Sequence, residues 1–160
     1  MALLDAKEYD PRPAQRKAWI AAFLAIFLVA GAFGLWWFRF WPEEHAVNRF
    51  FEAIEHKDFD AAYGIYFADP AWKQHAAKYS RYPLAQFMRD WGPDGDFGMI
   101  ASHKTDCAAE PPKNGWHSAS GVIVVVTLNS RQQTKLWVEK ADKTITLAPD
   151  IWEVRCRAVG

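Results

Sequence analysis

The sequence predicts an α+β protein, with a single N-terminal transmembrane helix followed by one domain of helices packed on an antiparallel sheet. Three observations predict it. The stretch from Ala18 to Phe38 contains no charged residue. From Pro42 to Trp91 apolar residues recur at spacings of three and four, the period of an amphipathic helix. From Phe97 onward the period shortens to two and β-branched runs alternate with turn residues. Helices first and strands afterwards is the α+β arrangement.

A helix over residues 18–38 rises about 1.5 Å per residue and so reaches roughly 30 Å, the hydrocarbon thickness of a bilayer. Trp19 at one end, and Trp36, Trp37, Phe40 and Trp41 at the other, are amphipathic rings suited to the membrane interface. Lys7, Arg12, Arg16 and Lys17 precede the span, against Arg39 and Arg49 after it, and this bias places the N-terminus inside. Ala30-Gly31-Ala32 has the small residues of a signal-peptide cleavage site, but Phe33 to Phe38 prolongs the hydrophobic run past it, as an uncleaved signal anchor does. The expected organisation is a cytoplasmic tail over 1–17, a transmembrane helix over 18–38 and an extracytoplasmic domain over 40–160, in the inner or cytoplasmic membrane. The prolines of Asp10-Pro11-Arg12-Pro13 make the tail irregular over 1–13.

About 120 residues remain after the span, enough for one compact domain. The whole chain has a formal net charge of zero, and residues 40–160 carry 14 basic against 16 acidic side chains, so no single-sign field recruits nucleic acid. Pro42 suits a first helical turn, with Glu43 and Glu44 at the positive end of the helix dipole. Ala46, Val47, Phe50, Phe51 and Ile54 form the apolar stripe of that helix, opposite His45, Asn48, Arg49, Glu52, Glu55 and His56. Asp58 caps a second helix through Phe67, Asp69-Pro70 opens a third over 71–78, and Pro83 opens a fourth, Leu84 to Trp91, stopped by Gly92-Pro93. Strands are expected over 97–107, 121–129, 135–140, 144–147 and 151–157, with a polar loop over 108–120 and a turn at Asp142-Lys143. The run Val122-Ile123-Val124-Val125-Val126 is apolar on both faces, as a central strand is.

Residues that carry chemistry are few. Five histidines, at 45, 56, 75, 103 and 117, show no compact ligand spacing, and no phosphate loop, nucleotide fingerprint or nucleophile elbow is present. These patterns nominate no catalytic, cofactor-binding or metal-binding residue. Glu52 and His56 read as a surface pair, Asp94-Gly95-Asp96 as a turn, and Lys73, His75, Lys78, Arg81 and Arg89 as a solvated basic face that can also meet lipid phosphates. Cys107 and Cys156 either form a disulfide in an oxidising compartment or stand as two buried thiols. The small residues of Ala30 to Gly34 permit close approach of another helix.

The segment Ala46-Val47-Asn48-Arg49-Phe50-Phe51-Glu52-Ala53-Ile54, followed by Lys57-Asp58-Phe59-Asp60-Ala61-Ala62-Tyr63, resembles the opening of nuclear transport factor 2-like (cystatin-like cone) domains. It is similar in particular to the membrane-anchored bacterial members of unknown function. Tyr82-Pro83-Leu84-Ala85-Gln86-Phe87 resembles the helix before their sheet, and Leu136 to Lys140 with Ile151 to Val154 their final hairpin. The chain departs from the family in the longer connection Thr144 to Asp150. The resemblance implies a curved antiparallel sheet enclosing a cavity, lined here by Phe51, Tyr63, Tyr66, Trp91 and Trp137. The superfamily hosts both enzymes and binding modules, so two functions stay open. One is a membrane-anchored binding or scaffold module, held against the bilayer by the minimal linker Trp41-Pro42-Glu43, with a membrane-protein partner or a small apolar ligand and no cofactor. The other is an isomerase-like or hydrolase-like enzyme drawing on Tyr63, Tyr66, His103 and Asp106.

Overall fold

The computed structural model describes residues 12–111, 120–149 and 154. The chain divides into two units, Met1–Arg39 and Phe40–Gly160. In the first, helix α1 runs over Arg12–Trp37, 26 residues, and is long and apolar enough to cross a membrane. Its apolar side chains are exposed, Phe27 at 75% and Leu35 at 80%. Helical backbone begins at Arg12, ahead of the uncharged stretch, because Pro13 is tolerated in a first turn and Arg and Lys are good helix formers. The irregular backbone expected over 1–13 is thus corrected at Arg12 and Pro13, which are helical, and residues 1–11 lie outside the described residues. Phe38 to Phe40 form a turn that ends α1.

In the second unit α2, Trp41–Glu55, carries Pro42 in its first turn and Glu43 and Glu44 behind it, as the sequence predicts. The missing proline N–H is one that a helix start leaves unpaired anyway, and the carboxylates meet the positive end of the dipole. Val47, Phe50, Phe51 and Ile54 form its buried face. Asp58 caps α3, Phe59–Tyr66, its side chain accepting from the Ala61 N–H at 3.0 Å. Between them Lys57 adopts φ +60°. The expected third helix is a 3-10 segment, Trp72–Tyr79, whose backbone leaves helical geometry at His75 (φ −120°, ψ 24°). Asp69 is the physical reason: Oδ1 accepts from the Ala71 N–H at 3.0 Å, while Oδ2 accepts from the Tyr79 hydroxyl at 2.7 Å and stands 3.1 Å from His75 Nδ1. Local side-chain bonds of this kind compete with the α-helical ladder. Helix α4, Leu84–Trp91, follows between Pro83 and Gly92 as expected.

Four strands make one antiparallel sheet in the order β1-β2-β3-β4: His103–Ala109, Gly121–Leu128, Gln132–Glu139 and Ile145–Leu147. Residues 97–102 are not strand, a correction with two causes. Gly98 takes φ +62° and breaks the extended run. Asn129 then satisfies the backbone of the segment from its side chain: Oδ1 accepts from the N–H groups of Ala101 (2.9 Å) and Ser102 (3.2 Å), and Nδ2 donates to the Met99 carbonyl (2.9 Å). Asn129 and Ser130 both have positive φ, and the Arg131 N–H returns to the Leu128 carbonyl, the turn type that joins twisted hairpin strands. In β1 the register slips between Thr105 and Cys107, leaving Asp106 as a bulge. The last strand expected over 151–157, Cys156 within it, and residues 112–119 of the loop lie outside the described residues apart from Val154.

Strand β2 is buried along both faces. On the helix side Val122, Val124, Val126 and Leu128 join Leu136, Val138 and Ile145 against Val47, Phe50, Phe51, Tyr63, Phe87 and Trp91. On the opposite side Ile123, Val125 and Ala148 form a smaller cluster, with Cys107, Trp137 and Val154 packed against it. Gly121 is required there. A Cβ at that position would lie 2.4 Å from the Trp137 indole, closer than any real contact.

Candidate functional site

Four of the five residues expected to line a cavity come together, as packed core. Phe51, Tyr63 and Trp91 are buried in the helix-side cluster and Tyr66 packs against it. Phe50 lies at the centre, 5.0 Å from Phe51 and Trp91, 5.9 Å from Tyr66 and 6.1 Å from Phe87 between ring centroids. Most of these contacts are edge-to-face, the arrangement the ring quadrupoles favour. The space between helices and sheet is thus occupied by rings. Trp137 is on the other face of the sheet, its indole N–H donating to Glu139 Oε1 at 2.7 Å.

The acid–base set is not assembled. The Tyr63 hydroxyl donates to the Tyr82 carbonyl at 2.6 Å, and burial pushes its pKa up. Tyr66 is raised as well, by burial and then by the nearby charge of Asp90. His103 Nδ1 lies 2.6 Å from Glu55 Oε1, its ring stacked 5.4 Å from Phe51. Asp106 accepts from Thr127 Oγ1 (2.6 Å) and Gln133 Nε2 (3.1 Å), and these are its partners in place of any phenol. A hollow beside this region measures about 160 Å³ and is lined by Ile54, Glu55, Trp91 and Ile100 among others. Among the described residues no three His, Cys, Asp or Glu side chains stand together as metal ligands. In the basic stretch Lys73 pairs with Asp60 at 2.7 Å and Lys78 lies over the Tyr79 ring. Cys107 is disulfide-bonded.

The larger concavity was not foreseen. A groove of about 580 Å³ runs between the first half of α2 and α3, bounded by Trp41, Pro42, His45, Ala46 and Arg49 on one side and by Ala61, Gly64, Ile65 and Ala68 on the other. Small side chains make it. Gly64 lets the Asp69 carbonyl and the Trp72 ring come within 3.2 Å of where its Cβ would stand. Two of the charges along it are committed: Lys143 reaches Glu43 Oε1 at 3.0 Å, and Asp60 holds Lys73. His45 stacks on Trp41 at 5.0 Å, nearly parallel. Arg49 makes no ion pair or side-chain hydrogen bond among the described residues. The sequence did hold a signal for the groove: Ala61, Gly64 and Ala68 recur at helical spacing, a strip too small to fill the space opposite Ala46.

No family model, no curated protein and no solved structure matches the chain.

Proposed function

We propose that this protein is a single-pass membrane-anchored module, N-terminus inside, whose extracytoplasmic domain binds or scaffolds another membrane protein as an accessory component of an envelope assembly. The nuclear transport factor 2-like assignment belongs to the same proposal. The observation that carries it is α1. Its exposed apolar side chains, buried in lipid rather than water, gain on the order of 1.5–3 kcal/mol for each large residue, a drive that no neighbouring soluble surface need supply. Anchorage then restricts partners to other membrane components, and the ring-filled interior supports binding at the surface over turnover inside.

Two measurements test it. In a bacterium with two membranes, protease should cut the domain after the outer membrane is opened and before the inner one is; cleavage only in lysed cells would put the domain inside. Gly31 and Gly34 have open space where a Cβ would stand, so leucine fits sterically at both. Extraction in mild detergent should recover a stoichiometric membrane-protein partner from the wild type and less of it from Gly31→Leu/Gly34→Leu, with the domain still folded. A lone monomer from wild-type membranes would refute the partner.

A further inference from the structure

We propose that the groove between α2 and α3 seats an anionic phospholipid from the bilayer, with Arg49 as its phosphate contact. This rests on the anchored reading above, since the bilayer is the source of the ligand. Three observations carry it. The volume of about 580 Å³ falls within the range of small-molecule sites, and its walls are apolar where Trp41, Pro42, Ala46 and Ile65 face inward. Arg49 stands at that wall with its guanidinium uncommitted, whereas the neighbouring Lys143 is neutralised by Glu43 and the carboxylate of Asp60 by Lys73. The site is therefore apolar with one uncompensated cation, the complement of an acyl chain carrying one anionic head. A guanidinium matches phosphate in planar, two-point geometry, and a zwitterionic head brings an ammonium that Arg49 repels.

The groove also begins at Trp41, four residues along the chain from the end of α1 at Trp37. A ligand drawn from the membrane that holds α1 needs no soluble carrier to reach such a site.

The test uses the full chain in nanodiscs of equal phosphatidylglycerol and phosphatidylcholine, followed by transfer to detergent and native mass spectrometry of the lipids retained. Co-elution with the discs reports anchorage, and lipid retention reports the groove, so the two readings fail separately. The wild type should retain one phosphatidylglycerol in preference to phosphatidylcholine. Arg49→Gln should lower that preference about fivefold, the size of one cation's contribution at a membrane surface. Ala61→Phe, at an exposed position on the groove wall, should abolish retention of both lipids. Arg131→Gln, which removes a charge at the β2–β3 turn, should leave the wild-type pattern. Equal retention by wild type and Arg49→Gln overturns the assignment. So does an equal fall in Arg49→Gln and Arg131→Gln, which would make the effect one of net charge. A wild type that fails to enter the discs overturns the anchor and this inference with it.

Discussion

Asp69 binds a backbone N–H, a phenol and an imidazole nitrogen, and these contacts, that of the Tyr79 hydroxyl foremost, hold its pKa below the ordinary 3.8. The same bond pushes the Tyr79 phenol up. A depressed carboxylate pKa means that folding favours the ionised form, so the contribution is complete above 3.8 and is lost as pH falls through the lower folded value. The 3-10 segment Trp72–Tyr79 should accordingly loosen in acid before the core does, seen as faster amide exchange across 71–79. Asp69→Asn should show fast exchange there already at pH 7 and lack the acid step; exchange profiles that superimpose on wild type would refute the role. A second residue acts by volume. Phe50 has no exposed surface and touches four other rings, so Phe50→Ala should cost about 3–5 kcal/mol in urea unfolding, and a loss under 1 kcal/mol would mean the cluster collapses around the gap.

At the scale of elements, Asn129 decides where β1 starts. Asn129→Ala should lower stability by about 1–2 kcal/mol, chiefly the cost of alanine at φ +51°, since the backbone groups of 99–102 that it frees are exposed and turn to water. Asn129→Gly keeps the backbone free to turn and removes only the bonds, so it should fall between the two proteins in a denaturant titration. These cases also mark what the sequence could tell. The starts of α2 and α3 and both ends of α4 were readable because Pro42, Asp58, Pro83 and Gly92 act on their own few neighbours. The burial of both faces of β2 was readable from five consecutive apolar residues. The start of β1 was not, because the group that satisfies residues 99–102 arrives from 30 positions away. The 3-10 segment was missed for a nearer reason, since a single carboxylate outbids a weak helical pattern. The groove depends on how α2 lies on α3, so its small residues were visible while the hollow they leave was not, and Arg49 read as one more member of a polar face.

For the molecule as a whole, a bridge between Cys107 and Cys156 would close a loop of about 50 residues and stabilise the fold by about 4 kcal/mol through the unfolded chain. Cys107 is disulfide-bonded, and these are the two cysteines of the sequence. Alkylation of the unfolded chain without reductant should therefore add no mass, and labelling of both sulfurs would remove the bridge. Such a bond forms in an oxidising compartment, so the same measurement on protein taken from intact cells bears on the extracytoplasmic placement proposed for the domain. The close approach of Gly121 to the Trp137 ring carries a consequence for descent. A Cβ at 121 would meet the indole at 2.4 Å and also the Val138 carbonyl at 2.6 Å, and the second is backbone, which no substitution at 137 removes. Shrinking position 137 therefore does not free position 121, and the two positions are not bound to change together. Diverged homologues should keep glycine at 121 both in branches with tryptophan at 137 and in branches that have lost the ring.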